Sequence, residues 1–351
     1  MNTQESERFR CTYLLPIRRV RASYGEAKAF AQYFRELSKA GCEVLVVDGS
    51  PPEVFAAHTR EWYNICRHVT VNEKYGYLNG KVNGVHTGVD LASCENLVLA
   101  DDDIRYTASD ITYACALLER YELLRPQNYI APLPWWARTE SARMLINRGT
   151  LRAGDYAATC AFRRSTFLRV GHYDGDVLFD NEELVRHFAL KGADILCATD
   201  FFVLKRPPSF SKWMEQRPRQ AYEDFVMRTK TVLFASLIPT ALALGLFARS
   251  MAVLVLVTIV VLASVFLALR GLLRDRAYHF LAARTVLYAP LWVLERSLAT
   301  YWAFYWRVRY GGYPFGATLL SKGTGRAWVE GGRIESRIAR GQVRARSWRL
   351  G

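Results

Sequence analysis

Two consecutive runs without a single charge decide what this chain can fold into. TVLFASLIPTALALGLFA lies between Lys230 and Arg249, and SMAVLVLVTIVVLASVFLAL lies between Arg249 and Arg270. A helix needs about 20 apolar residues to cross a bilayer, and each run meets that length. Only a short Ala-Arg-Ser link joins them, so they read as a helical hairpin. A pair of buried core helices is the competing reading, and two adjacent charge-free runs argue against it.

A third apolar stretch is different. TVLYAPLWVL and SLATYWAFYW are each too short to span, and Glu295 and Arg296 sit between them. The stretch is rich in Trp and Tyr, which favour the headgroup zone. It reads as an interfacial helix, with a third span as the alternative. An even number of crossings returns RGLLRDR and the Arg-rich end of the chain to the cytoplasm, as the positive-inside bias expects.

The rest of the chain divides around these segments. The mean hydropathy is close to zero, but that average hides a globular stretch before residue 230 and a Gly/Arg-rich stretch after residue 306. The expected units are a cytoplasmic domain over 1–229, two spans over 230–272, an interfacial segment over 273–310 and a loosely ordered basic tail over 311–351. The net charge is +14, and Gly323 to Gly351 alone carries seven Arg against two Glu. Beside apolar spans, such a surplus points to anionic headgroups. No zinc-finger spacing or RNA-binding aromatic signature supports nucleic acid as a partner. The seven cysteines form no CxxC pair and read as free thiols in a reducing compartment. The N-terminus MNTQESERFR has no apolar h-region, so no signal peptide is expected.

Before residue 200 the chain alternates strand-like and helix-like segments. CTYLLPI is a strand, GEAKAFAQYFRELSKAG an amphipathic helix, CEVLVVDGSPPE a strand running into a turn, VHTGVDLASCE helix-like, and NLVLADDD the next strand. This order predicts an α/β fold with a mostly parallel sheet and helices on both faces. Ligands of such sheets bind at the carboxyl ends of strands. Asp48 and the run Asp101, Asp102 and Asp103 all sit at predicted strand ends. Three adjacent carboxylates repel one another, so a turn exposed to solvent or a bound cation must accommodate them. A second acid at a neighbouring strand end favours the cation. No dinucleotide-binding or P-loop glycine pattern is present. Carboxylate oxygens that hold Mg²⁺ or Mn²⁺, with substrate phosphates completing the shell, suit this pattern.

Four blocks in order resemble a family 2 glycosyltransferase of GT-A fold. They are VVDGSPPE; LNGKVNGVHTGVDLASCENLVLADDD, with the DxD-type acids; GDYAATCAFRRSTFLRVGHYDGDVLFDNEELVRHFALKGADI, which ends in the acceptor-side acidic motif; and WMEQRPRQ, a partial match to a QxxRW-type motif. The resemblance covers roughly Cys11 to Gln220. It implies that Asp48 contacts the nucleoside, that Asp101, Asp102 and Lys81 lie along the nucleotide sugar, and that Asp103 with Asp101 holds the metal. Asn83 would support the loop, and Gln216, Arg217 and Arg219 would close over the diphosphate or acceptor.

The expected catalytic base lies within FDNEELVRHF. Asn181 stands where the family has an acid, and an amide cannot deprotonate a hydroxyl. The candidates are therefore Asp180 first, Glu182 second and Glu183 third. Gln220 replaces the Trp of QxxRW, which argues against a strongly processive synthase. Trp135 and Trp136 are candidates to replace that aromatic at the acceptor.

The resemblance implies an inverting, metal-dependent transfer from a nucleotide-diphosphate sugar, with a UDP-sugar as the first guess. The acceptor would be a lipid or glycan at the cytoplasmic face of the cell membrane. The alternatives are a processive polysaccharide synthase, a membrane nucleotidyl- or phosphotransferase, and an inactive transferase-like scaffold.

Overall fold

The structure is a computed structural model that describes residues 10–248, 250–316 and 318–325. In chain order the first half comprises β1 (Cys11–Ile17), α1 (Tyr24–Lys39), β2 (Cys42–Asp48), α2 (Pro52–Trp62), β3 (Arg67–Thr70), α3 (Gly80–Leu91), β4 (Asn96–Ala100), β5 (Ile104–Arg105), α4 (Ala108–Leu118) and β6 (Leu123–Ile130). Then follow α5 (Ala137–Thr150), β7 (Thr159–Arg163), α6 (Arg164–Val170), α7 (Asp180–Leu190), β8 (Ile195–Lys205), α8 (Phe210–Glu223), α9 (Arg228–Phe247), α10 (Ser250–Leu273), α11 (Ala289–Tyr310), β9 (Tyr313–Phe315) and β10 (Thr318–Leu320).

Strands β1 to β8 form one mixed sheet in the order β3-β2-β1-β4-β7-β6-β8-β5. β3, β2, β1 and β4 run parallel, β7 is antiparallel to both of its neighbours, and β6 is parallel to β8. The α/β architecture expected from the alternating segments is present. The local cause is alternation at period two. Tyr13 and Leu15 of β1 face a core with Phe30, Phe34 and Trp62, while Leu14 faces the opposite core with Val85, Phe167 and Phe188. With both faces covered, β1 and β2 are buried along their whole length, as parallel strands require. Helix starts follow capping chemistry: the Ser23 side chain accepts from the Glu26 N–H, and Thr107 with Asp110 makes a reciprocal capping box.

The charge-free runs form α9 and α10, two helices long and apolar enough to cross a membrane. Much of their apolar surface is exposed, including Leu246, Phe247, Leu254 and Phe266. The far end of α10 is not free. Ala268 and Leu272 pack with Ala142, Leu145 and Trp292. There α10 crosses α5 at Gly149 and Gly271. A methyl group added at Gly149 would collide with the Leu267 backbone, and one at Gly271 with the Leu145 backbone. Arg274 then donates to the Arg148 and Leu151 carbonyls at 2.9 and 2.6 Å, satisfying the end of α5.

The third apolar stretch is helical through Glu295 and Arg296, as α11. Its central Glu295–Arg296 pair turns inward: Arg296 is 1% exposed and donates to Asp224 and Gln220 at 3.1 and 2.9 Å. The opposite side exposes Leu294, Leu298, Trp302 and Tyr305. The segment after α11 does not begin as a loose tail. β9 and β10 make a hairpin whose Tyr313 and Leu320 pack on Tyr222 and Ala303. The seven tail arginines lie outside the described residues.

Replacing Gly271 with Ala forces α5 and α10 apart. The expected cost is ~1–3 kcal/mol of overpacking, read as a lowered unfolding temperature of the detergent-solubilised protein, with Gly245→Ala in the exposed part of α9 as the unaffected control.

Candidate active site

A cavity of about 1100 Å³ opens at the carboxyl ends of the parallel strands. On one side it is walled by Ile17, Arg19 and Gly49, on the floor by Lys81 and Asp101 to Asp103, and across from them by Asp180 and Asn181. The sheet itself brings these groups together. β4 delivers the three acids, α3 begins with Lys81 in its first turn, and α7 begins at Asp180.

Lys81 ties the two acidic edges. Its Nζ lies 2.5 Å from Asp101 Oδ1 and 2.8 Å from Asp180 Oδ2, and it donates to Asn181 Oδ1 at 3.0 Å. Burial alone would lower the lysine's pKa; the Asp101 and Asp180 carboxylates outweigh it and raise the pKa. Asn83, two residues on, holds the adjacent loop by accepting from the Tyr77 N–H at 2.9 Å and donating to the Tyr77 carbonyl at 3.0 Å.

The three acids of LVLADDD have different surroundings. Asp102 accepts from Arg19 at 2.6 Å, with Lys212 at 3.8 Å. Burial opposes ionisation of Asp102, but Lys212 and Arg19 outweigh it and its pKa is lowered. Asp103 has Lys205 at 3.5 Å, and burial prevails there, raising its pKa. Its Oδ1 is buried without a hydrogen-bond partner. An all-oxygen set from Asp101 and Asp103, with one carboxylate oxygen left unpartnered, fits a hard cation such as Mg²⁺ or Mn²⁺.

The three candidate bases separate cleanly. Asp180 is 5% exposed and lines the cavity. Glu182, two residues further along α7, points instead to Arg125, which donates to both of its oxygens at 2.9 Å. Burial raises the Glu182 pKa against the pull of Arg125. Glu183 is fully buried, bonded to Arg186 and to the Gly325 N–H at 2.7 Å. Of the three acids, Asp180 lines the cavity, while Glu182 and Glu183 are engaged by Arg125 and Arg186 away from it.

Other expected residues also part company. Gln216 and Arg219 line the cavity; Arg219 lies over the Phe315 ring at 4.8 Å and pairs with Glu223 at 3.1 Å. Arg217 does not line the cavity. It is buried and ion-paired with Glu140 at 2.9 Å. Trp135 and Trp136 lie outside the cavity, packed on Phe210, with the Trp136 Nε1–H donating to the Pro208 carbonyl at 3.1 Å. Asp48 is at the expected strand end, but its carboxylate turns into the layer between α2 and β3, where Oδ2 lies 2.7 Å from His58 Nδ1 and 3.1 Å from His68 Nε2. Burial would raise the Asp48 pKa; bonds from His58, His68 and Ser50 hold it well below the usual carboxylate range.

Several lining residues carry no local sequence signal. Lys205 ends β8, and Arg19 lies in the loop after β1. Glu140 and Arg143 come from α5, Lys230 from the first turn of α9 and Arg296 from α11. Phe315 and Thr318 come from the hairpin, whose following residues grip α7: the Leu178 and Phe179 N–H groups donate to the Lys322 and Gly323 carbonyls at 2.9 and 2.8 Å.

No protein-family model matches the chain, and no curated protein matches it. Among solved structures it is similar to a mannosyltransferase, PcManGT from Pyrobaculum calidifontis, in complex with GDP-Man and Mn²⁺. The identity is 18% over 84% of this chain and 88% of that one, with a TM-score of 0.48. It is also similar to glucosyl-3-phosphoglycerate synthase from Mycobacterium tuberculosis in complex with Mn²⁺, UDP and phosphoglyceric acid. There the identity is 14% over 62% of this chain and 78% of that one, with a TM-score of 0.39. At such scores the functional reading rests on the chain's own residues.

Glu182→Ala strands a buried guanidinium and is expected to cost about 3–5 kcal/mol. Trp135→Ala, at an exposed site, is expected to change stability by less than about 0.5 kcal/mol. Denaturant unfolding of the two variants checks the separation.

Proposed function

We propose that this protein is an inverting, metal-dependent glycosyltransferase. It moves a sugar from a nucleotide-diphosphate sugar to an acceptor presented at the cytoplasmic face of the cell membrane. The observation that carries this reading is the convergence of Asp101, Asp103, Lys81 and Asp180 on one cavity at the strand ends. In this reading a family 2-like catalytic domain occupies residues 1–229, the hairpin 230–272 crosses the membrane twice, and the segment 273–310 lies at the interface. The basic residues of 311–351 follow the hairpin back to the same side.

Asp103 and Asp101 would hold Mg²⁺ or Mn²⁺. When bound, the ion supplies positive charge against the diphosphate. The protein's own groups do the rest. Lys81 sits where a second positive charge meets the donor and keeps Asp101 and Asp180 from repelling each other. Asp180 is the one acid of its helix that faces the cavity, so it takes the proton of the acceptor hydroxyl as that oxygen attacks the anomeric carbon. Arg219, with Lys205 deeper in the cavity, offsets charge that develops on the departing nucleoside diphosphate. Gln216 borders the same space. Phe179, Tyr156 and Phe315 supply apolar wall, which keeps water from competing with the acceptor. A UDP-sugar remains the first donor to test.

The acceptor side supports a membrane substrate. The cavity that begins at the acids ends at Lys230, in the first turn of the first span, and at Arg296 of the interfacial helix. A lipid-linked or glycan acceptor can therefore reach Asp180 from the membrane without leaving the protein. Gln220, where processive relatives in the resembled family carry Trp, is held between Glu140 at 3.2 Å and Arg296 at 2.9 Å. That supports transfer of single sugars over processive polymerisation.

A screen of UDP-, GDP- and other nucleotide sugars with membrane lipids and Mn²⁺ or Mg²⁺ tests the reading. One donor is expected to turn over and to release a nucleoside diphosphate. Release of pyrophosphate or a nucleoside monophosphate would instead indicate a nucleotidyl- or phosphotransferase. With that donor, Asp180→Asn is expected to lose at least ~10²-fold in kcat, while Glu182→Gln keeps turnover once its stability loss is allowed for. Normal turnover by Asp180→Asn would remove the assigned base.

A further inference from the structure

Asp48 is 1% exposed, yet among the described residues no Lys or Arg is paired with it. Its Oδ1 accepts from the Ser50 N–H at 2.8 Å. Its Oδ2 faces two imidazole nitrogens, His58 Nδ1 at 2.7 Å and His68 Nε2 at 3.1 Å. One carboxylate oxygen and two ring nitrogens thus lie within 4.8 Å of one another. Both rings are fixed from behind. His68 stacks on Phe55 at 4.2 Å and 18°, and His58 stacks on Trp62 at 4.5 Å and 20°.

The other nitrogen of His68 shows what the site needs. Nδ1 lies 3.0 Å from Thr59 Oγ1, and that hydroxyl donates to the Phe55 carbonyl at 3.0 Å. A hydroxyl has one hydrogen to give; with it on the Phe55 carbonyl, Thr59 accepts from His68 and Nδ1 carries a hydrogen. The Nε2 of a neutral ring then turns a lone pair toward a carboxylate oxygen. Two electron-rich atoms this close in a dry interior require positive charge between them.

We propose that Asp48, His58 and His68 bind a transition-metal ion of the Zn²⁺ class, separate from the cation of the three strand-end acids. Two imidazoles and one carboxylate suit Zn²⁺ and its neighbours, whereas Mg²⁺ prefers oxygen alone. The Thr59 bond to Nδ1 is the outer contact that orients a metal-bound imidazole. Metal–ligand bonds of ~2.0–2.2 Å would draw the three donor atoms in around the ion. The ion joins β2, α2 and β3 at the edge of the cavity. Gly49 lines that cavity, Ser50 Oγ accepts from the Arg19 N–H at 2.8 Å, and Arg19 reaches Asp102. The site therefore sets the loop that shapes one wall.

The test uses the full-length protein in detergent, after dialysis against buffer freed of metal by a mild chelator. Elemental analysis is expected to find about one transition-metal ion per chain. The content should be unchanged in Asp103→Ala and lost in His68→Gln. Cobalt(II) added to stripped wild-type protein is expected to give visible ligand-field bands that are absent in His68→Gln. Wild-type protein that retains no ion and gives no cobalt bands would overturn the proposal and leave a protonated imidazole as the source of the charge. Loss of the ion in Asp103→Ala would overturn it too. None of these readouts depends on sugar transfer, so the site stands or falls apart from the proposed activity.

Discussion

The arrangement of the site depends on Lys81. Its ammonium lies between Asp101, at the end of β4, and Asp180, at the start of α7. Without that charge, two carboxylates brought to one buried cleft would repel each other and resist desolvation. With it, an acid at the end of β4 and an acid at the start of α7 share one space. The sheet order makes this possible, because β4 and the start of α3 open onto the cleft that α7 enters from the opposite side. Two acids with different neighbours can then take different roles.

A second layer of charge connects this site to the apolar helices. Glu140, Arg143 and Asp155 pair beneath the cavity, with Arg143 Nη1 2.7 Å from Asp155. Arg217 joins Glu140, and Asp224 is held by Lys230 and Arg296. Buried pairs of this kind add little net stability, but losing one partner is costly. They fix α5, α8, α9 and α11 in one geometry. The Gly149–Gly271 crossing lets α10 seat against α5. The cavity and the apolar helices are thus parts of one packed unit.

What the sequence made legible followed from local pattern. The alternation of strand-like and helix-like segments and the strand-end position of LVLADDD identified the sheet and its acidic edge, because both are properties of neighbouring residues. The charge-free runs identified two long apolar helices for the same reason. Local pattern was silent where tertiary partners decide. Asp48 ends its strand as expected, but two histidines ten and twenty residues later draw its carboxylate away from the cavity. Glu182 and Glu183 could not be told from Asp180 by type; their helical positions and the partners Arg125 and Arg186 separate them. The Glu295–Arg296 pair reads as a break in an apolar stretch, yet α8 supplies its partners and α11 continues through it. Phe315 and Thr318 reach the cavity from a hairpin more than a hundred residues after the acids, a contact that no spacing reveals.

The central claim is that the strand-end acids bind a nucleoside diphosphate through a divalent cation. Calorimetric titration of the full-length protein with UDP and with GDP, each with and without Mn²⁺, tests it most directly. The account predicts that one nucleotide binds, that binding requires Mn²⁺, and that Asp103→Ala abolishes it while the unfolding temperature stays near that of the wild type. Nucleotide binding of equal strength without the metal, or undiminished in Asp103→Ala, would contradict it.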